Sequence, residues 1–419
     1  MSEELLHPDE ALRLVLEAGR AAFRASLGGG TESLPLAAAL GRHMPAAILA
    51  TLDQPPFDKS AMDGFAVGMS LEEARRFGEG RQAVWEVVGT IAAGSAAEAG
   101  PGPGRVHRVM TGAPLPPGTA FVQRVEYTRA FEGRDDRIVF ELREKSDNII
   151  RRGENLRAGD ILLGPRRLGP ADIGILASSG FAKVSVARRP IVGIISTGDE
   201  LEAAGATLGP ASIYDSNGPQ LAAQVEALGA LPKFYGIVRD EEAALRGALE
   251  RALAECEVIV LSGGVSMGDF DYVPKTLEAL GVRRIFHKLA MKPGKPTWFG
   301  TRGTTAVFGL PGNPLSTFVN FEVFLGPHLE ARMGVEGRSR ILSLPLGAPL
   351  SRKSADRAEY LPVRLAREGE GGRSVVHPLD YHGSSMLSVL AEAEGLARLE
   401  IGVYSLPEGG HVDVRLLRS

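Results

Sequence analysis

Cysteine is almost absent. The single Cys256 among 419 residues excludes an internal disulfide and any metal site built on cysteine pairs. Eight histidines are scattered without the H-x-H or H-E-x-x-H spacing of a histidine metal cage. No apolar run approaches the roughly 18 residues needed to span a bilayer. The opening residues, MSEELLHPDEALRLVLEAGR, lack the charged-then-apolar order of a signal peptide, so a cytoplasmic location without membrane partners is expected. Positive charge is not in surplus either. Lys and Arg number 47 against 51 Asp and Glu, a formal charge of −4, and this argues against a nucleic-acid partner. Lysine is scarce, nine residues against 38 arginines, so each lysine is worth locating, and Lys292 and Lys295 sit three apart in one segment. With 44% hydrophobic and 23% charged residues, the composition is that of folded soluble protein, long enough for about two to four domains.

Residues 8–26 read as an amphipathic helix, with Pro8, Asp9 and Glu10 suiting a first turn and Leu12, Val15, Leu16 and Gly19 at helical spacing. From 45 to 150, short β-type runs such as AVWEVVGTI and DRIVFELRE alternate with Gly/Pro clusters, which predicts a small β-rich domain. The segment 151–187 adds a helix-like ADIGILASSG and a strand, AKVSVA; it completes the domain begun by the first helix if the β domain is an insertion. From 188 to about 333, apolar strand-length runs (PIVGIIS, KFYGIV, VIVLS, TTAVFG) alternate with helical segments, the last a long helix over STFVNFEVFLGPHLEARM. Strands apolar on both faces and alternating with helices predict an α/β domain with a mostly parallel sheet. Residues 338–419 return to short alternating strands and predict a C-terminal β domain.

The α/β segment carries the strongest chemical argument. In open parallel sheets, ligands bind beyond the carboxyl ends of the strands near a topological switch point. Three strand candidates run straight into Gly-containing loops: STGDEL (196–201), SGGVSMGDFDY (262–272) and LPGNPLS (310–316). Small residues let backbone N–H groups approach a phosphate, and a following helix N-terminus adds positive potential. Glu200, Asp269 and Asp271 are carboxylates able to hold Mg²⁺ against an anion, and Lys292 and Lys295 in AMKPGKPTW are cations in a proline-stiffened loop. Singly, each loop is an ordinary tight connection, each carboxylate an ordinary cap or solvated charge, and the lysines merely exposed. Three loops and two lysines converging on one edge point instead to an anionic ligand. Asp215, in SIYDSNGPQL, reads first as a helix cap, and Asp58, Lys59 and Asp63 in PPFDKSAMDGFAV and Thr111 in RVMTGAPLPPG read first as stiff turns.

Taken in order, the strings PPFDKSAMDGFAV, RVMTGAPLP, NIIRRGENLRAGD, STGDEL, IYDSN, SGGVSMGDFDY, AMKPGKP and LPGNP resemble the MoeA family of molybdopterin molybdenumtransferases, relatives of the gephyrin E domain and the plant Cnx E domain. Each string is weak; eight in register are specific, and the resemblance covers essentially the whole chain. It implies an elongated four-domain chain of multidomain α/β plus β class. Residues 1–46 with 151–187 would form an N-terminal domain and 47–150 an inserted β domain. Residues 188–335 would form a three-layer, mostly parallel molybdopterin-binding α/β domain, and 336–419 a β-barrel-like domain. It further implies a homodimer with an inter-subunit active-site cleft, and the pathway adenylyltransferase as a candidate partner. The reaction implied takes adenylylated molybdopterin and molybdate, hydrolyses the pyrophosphate link with Mg²⁺ and releases AMP. By the family pattern Glu200 and Asp271 hold Mg²⁺, and Asp271 also helps activate water. Gly263, Gly264 and Ser266 line the phosphate cradle, and Lys292 and Lys295 bind molybdate or the pterin phosphate. Asp63, Thr111 and Asp215 match cleft positions, and Arg357 and Ser384 match an Arg and a Ser near molybdate.

Two positions depart from the pattern: Lys59 stands where bacterial members often have Asn, and Gly218 where Arg is frequent. Three rivals remain in view. The sister adenylyltransferase of the pathway shares the α/β domain but carries a TGGTG-type loop and leaves residues 1–187 and 338–419 unused. A non-catalytic pterin-binding scaffold or partner-binding protein of the same fold would tolerate loss of the carboxylates and lysines. A nucleotide-binding regulator would not need Lys292 and Lys295. Molybdate and tungstate, both tetrahedral dianions, stay equally open.

Overall fold

The computed structural model describes residues 5–26, 30–77, 83–95, 99–142, 144–264, 272–335, 341–369 and 372–417. Contacts group them into two compact units, one of residues 47–164 and 174–181, the other of residues 1–46, 165–173 and 182–419. No helix among the described residues is long and apolar enough to cross a membrane. Both units mix helix and sheet in a multidomain α/β plus β architecture.

The smaller unit is built on a six-stranded sheet. Its strands are β1 (Gly64–Val67), β2 (Trp85–Ile91), β3 (Arg105–Val109), β4 (Phe121–Arg124), β5 (Thr128–Phe131) and β6 (Arg134–Phe140), in the order β4-β1-β3-β2-β6-β5. Only β2 and β3 pair in parallel. Successive residues of a strand point to opposite faces, and here both faces are covered. Phe65, Val67, Trp85 and Phe121 pack on one side and Ala66, Val109 and Val122 on the other. Trp85 stacks on Phe140 with centroids 4.7 Å apart. The segment after this sheet stays in the unit, where Ile149 and Ile150 pair with Ser60 and Lys59.

In the larger unit, helix α1 (Pro8–Ala25) begins as the sequence predicts, with Pro8 in the first turn followed by Asp9 and Glu10. Its buried stripe is Ala11, Val15, Gly19 and Ala22, whereas Leu12 and Leu16 are only half-buried. The reason is a close helix crossing: a Cβ at Gly19 would lie 2.8 Å from the His328 carbonyl oxygen. Small residues, not the leucines, make that approach.

The central sheet contains β7 (Ile191–Thr197), β8 (Leu231–Val238), β9 (Val258–Ser262), β10 (Arg283–His287), β12 (Trp298–Arg302) and β13 (Thr305–Leu310), in the order β8-β7-β9-β13-β12-β10. The two-residue strand β11 (Met291–Lys292) lies between β10 and β12 in the chain. Four strands, β8, β7, β9 and β13, are parallel; α2 (Asn217–Ala227) links β7 to β8, α3 (Glu242–Glu255) links β8 to β9, and α4 (Tyr272–Ala279) leads from β9 to the edge strand β10. The edge is antiparallel, because β12 and β13 join through a tight turn at Gly303 (φ +59°) that leaves no room for a crossover. Val192, Ile194, Val258 and Val260 enter one core, and Ile195, Ile259, Leu261 and Val307 the other, giving the three layers expected. The expected long final helix is interrupted. It runs as α5 (Pro314–Asn320), a π-helical stretch Phe321–Leu325, and α6 (Gly326–Arg332).

The C-terminal sheet has β14 (Ile341–Pro345), β15 (Ala358–Glu368), β16 (Arg373–Pro378), β17 (Gly395–Leu399) and β18 (His411–Leu416), in the order β11-β15-β17-β18-β14 with β16 also on β15. A parallel bridge between Leu346 and Val376 brings the β14 end back to β16, so the sheet curls towards closure. The strand β11 joins this sheet in parallel with β15 and so carries Lys292 out of the α/β segment.

Candidate active site

The parallel strands end level. Ser196 is in register with Ser262, and Ser262 with Leu310, so the three Gly-bearing loops leave one edge together. Their backbones are in contact. Gly263 N donates to Leu310 O at 3.0 Å, and the Asn217 amide donates to Ser262 Oγ (2.6 Å) and Gly312 O (2.7 Å). Gly263 (φ +95°) and Gly264 (φ +62°) occupy left-handed backbone that disfavours side chains. A Cβ on Gly263 would lie 2.4 Å from Thr197 O, so only glycine lets the cradle close on that strand end.

The carboxylates come to the same edge by a second device. Residues Leu201–Glu202 pair in parallel with Ile213–Tyr214, and Ile213 N donates to Glu200 O at 2.8 Å. This ties the loop of Glu200 to the loop of Asp215. Glu200 is exposed, with its carboxylate folded over Gly198, where a Cβ would meet Oε2 at 2.6 Å. Asp215 caps α2 as its sequence context suggests, with Oδ1 accepting from Gly218 N at 3.0 Å. Its Oδ2 and the Oδ1 of Asn217 are buried acceptors without a partner among the described residues. The departure at residue 218 has a steric reason, since a Cβ there would lie 2.6 Å from both Asp215 Oδ2 and the Phe234 ring.

The lysine loop leads to a cavity of about 390 Å³ lined by Lys292, Arg352, Lys353, Arg357, Glu359 and neighbouring residues. Lys292 precedes a cis peptide to Pro293 and pairs with Glu359 at 2.7 Å. Arg357 is brought to the same cavity, with Nε 3.5 Å from Asp356 Oδ2. Ser384 stands next to the lining residue Gly383, and its carbonyl accepts from Leu315 N at 3.0 Å, which links this rim to the LPGNP loop. Lys295 is exposed and is not among the residues lining the cavity; its carbonyl accepts from Leu289 N. Sequence reasoning missed Asn217 as the tie between loops, and missed Arg352 and Glu359 behind Lys292. Nothing in their local spacing marks them: Asn217 reaches Ser262 across 45 residues and Gly312 across 95, and Glu359 meets Lys292 only through the pairing of two strands.

In the smaller unit, Asp63 and Thr111 meet although 48 residues apart. Asp63 Oδ1 accepts from Thr111 N (2.6 Å) and Thr111 Oγ1 (2.9 Å). The backbone hydrogen bond, with the hydroxyl second, holds the exposed Asp63 carboxyl below its usual range, so it stays ionised. Ser266, Asp269 and Asp271 lie outside the described residues.

Fold and edge together define a multidomain protein centred on an α/β domain with a candidate ligand site at the ends of its parallel strands. Residues 193–331 match the family model for a probable molybdopterin binding domain. Residues 6–180 match the MoeA N-terminal region (domain I and II), and residues 344–417 the MoeA C-terminal region (domain IV). The molybdopterin molybdenumtransferase of Bacillus subtilis is 34% identical over 401 residues, covering 93% of this chain and 90% of that one. The protein of the same name from a Nostoc species is 38% identical over 302 residues, 71% of this chain and 68% of its own. Among solved structures, a molybdopterin biosynthesis MoeA protein from Pyrococcus horikoshii superposes with a TM-score of 0.81 at 27% identity, covering 99% of this chain and all of that one. The chain belongs to the molybdopterin molybdenumtransferase family and is an enzyme of that type.

Proposed function

We propose that this protein inserts molybdate into adenylylated molybdopterin, hydrolysing the pyrophosphate link and releasing AMP. The observation that carries the reading is the shared edge of three glycine-bearing strand ends, cross-tied by Asn217 to Ser262 and Gly312. Such an edge offers backbone N–H groups to a phosphate. On this reading Gly263, Gly264 and Ser266 form the phosphate cradle, and Asp215 with Thr111 orients the pterin nucleotide. Lys292 and Arg357 receive molybdate, with Ser384 at the rim and Lys295 reaching the pterin phosphate. Asp63, kept ionised by Thr111, fixes a donor on the substrate. Asp271 accepts a proton from the attacking water.

The donor chemistry at Glu200 fits Mg²⁺. It is an exposed hard-oxygen ligand beside the phosphate edge, and Mg²⁺ commonly takes one or two carboxylates and completes its shell with water and phosphate. Glu200 and Asp271 would hold the ion, which when bound neutralises phosphate charge. The same reading makes the protein a cytoplasmic homodimer of four-domain chains with an inter-subunit cleft, receiving substrate from the pathway adenylyltransferase.

The test is AMP release from adenylylated molybdopterin with Mg²⁺, with and without molybdate, for the wild type, Lys292→Ala and Asp271→Ala. Molybdate-dependent release that falls at least about a hundredfold in each variant is expected. Tight pterin-nucleotide binding with no release by the wild type would replace the enzyme with a carrier or scaffold.

A further inference from the structure

Lys292 does not reach its cavity unassisted. In the parallel pairing of β11 with β15, Lys292 is in register with Glu359, a residue only 5% exposed. Glu359 is engaged at both oxygens, Oε1 lying 2.7 Å from Lys292 Nζ and Oε2 3.5 Å from Arg352 Nη1. The Arg352 side chain, only 7% exposed, is in turn locked to the backbone. Its Nε donates to Val403 O at 2.7 Å, its Nη2 to Glu400 O, and its Nη1 to Arg357 O at 2.9 Å. This pair therefore holds two cations of the cavity, Lys292 through its ammonium and Arg357 through its backbone carbonyl. The cavity wall carries four cationic side chains, Lys292, Arg352, Lys353 and Arg357, against two carboxylates, Asp356 and Glu359. Two positive charges are left over, which suits a dianion.

We propose that Arg352 and Glu359 are positioning residues for oxyanion recognition: they fix Lys292 relative to Arg357 so that a tetrahedral dianion meets a prearranged pair of cations. The inference rests on the reading of Lys292 and Arg357 as the molybdate-binding residues. A free lysine keeps most of its rotamer freedom, and ordering it on binding weakens the complex by about tenfold. A guanidinium held at three carbonyls delivers rigidity that an ammonium on a flexible stem does not.

Two variants separate position from charge. Glu359→Gln keeps the shape and removes one negative charge, whereas Arg352→Lys keeps the charge of the cavity and loses the fork. Positioning predicts that both raise the KM for molybdate about tenfold, with kcat at saturating molybdate, affinity for the pterin nucleotide and thermal midpoint held near the wild type. Molybdate binding that tightens in Glu359→Gln and is unchanged in Arg352→Lys would show Glu359 to be a mere competing anion and overturn the proposal. Equal losses of molybdate and pterin-nucleotide binding would also overturn it. A ligand-free readout is independent of the activity. With nine lysines in the chain, a lysine-selective ¹⁵N spectrum of the ammonium groups is tractable, and the Lys292 signal should be protected from exchange in the wild type and lost in Glu359→Gln. A wild type that shows this protection but binds no molybdate would refute the functional reading and leave the positioning intact; an unprotected Lys292 would refute the positioning itself.

Discussion

His328 is buried where α1 crosses α6, with Nδ1–H donating to Val15 O at 3.0 Å and the rings of Phe299 and Phe308 edge-on to its own. Loss of solvent is the main cause that pulls its pKa down to about 4. His43 is lowered to about 4 as well, chiefly by burial and then by the charges of Arg167 and Arg42. Both are neutral in the fold and titrate near 6.5 once unfolded. Between pH 6.5 and about 4 the unfolded chain therefore binds more protons, so stability present at neutral pH is lost on acidification. Each histidine contributes up to about 1.4 kcal/mol per pH unit in that window. Urea midpoints measured from pH 7 to pH 4 should fall, and His328→Gln should fall less steeply. An equal slope in the variant would mean that His328 titrates alike in both states.

The join between the lysine loop and helix α5 is a polar device inside an apolar core. Thr297 Oγ1 lies 2.6 Å from Gly294 O and 2.7 Å from Asn320 Oδ1, while Asn320 Nδ2 donates to Ser316 O at 2.8 Å. Asn320 and Thr297 are fully buried, and Gly294, at φ +114°, would place a Cβ 2.4 Å from the Asn320 amide. These contacts set where the segment from Lys292 to Lys295 leaves the helix. Asn320→Ala would remove the buried amide's contacts with the Thr297 hydroxyl and with Ser316 O, leave Thr297 only Gly294 O, and cost about 1–3 kcal/mol. A lower thermal midpoint together with a raised KM for molybdate is expected. A midpoint change without any change in KM would separate the network from the lysine loop.

For the assembled protein, the proposed inter-subunit cleft makes a quantitative prediction. Asp63→Ala and Lys292→Ala protomers, each inactive alone, would be mixed under conditions that exchange subunits. If the cleft combines residues of two protomers, random heterodimers retain one intact site, and about a quarter of wild-type AMP release returns. No recovery, despite heterodimers detected by mass, would place Asp63 and Lys292 in the service of the same protomer's site.

Local signals carried far in this chain. The apolar runs and Gly-rich loops of residues 188–316 marked the strands β7, β9 and β13, the helices between them and the edge at which their loops emerge, because strand-length burial and glycine backbone freedom are properties of adjacent residues. The eight family strings supplied the reaction expected of them. Pairings between distant segments were not legible. The antiparallel edge at β10 and β12, the small-residue crossing of α1 with α6, the meeting of Asp63 with Thr111, and the pairing that sets Glu359 behind Lys292 all depend on contacts that local sequence does not encode. A carboxylate on a strand reads the same in sequence whether it faces water or a buried guanidinium. Only packing, which sets what solvent each charge loses and which partner replaces it, decided that Glu359 would hold a lysine in place.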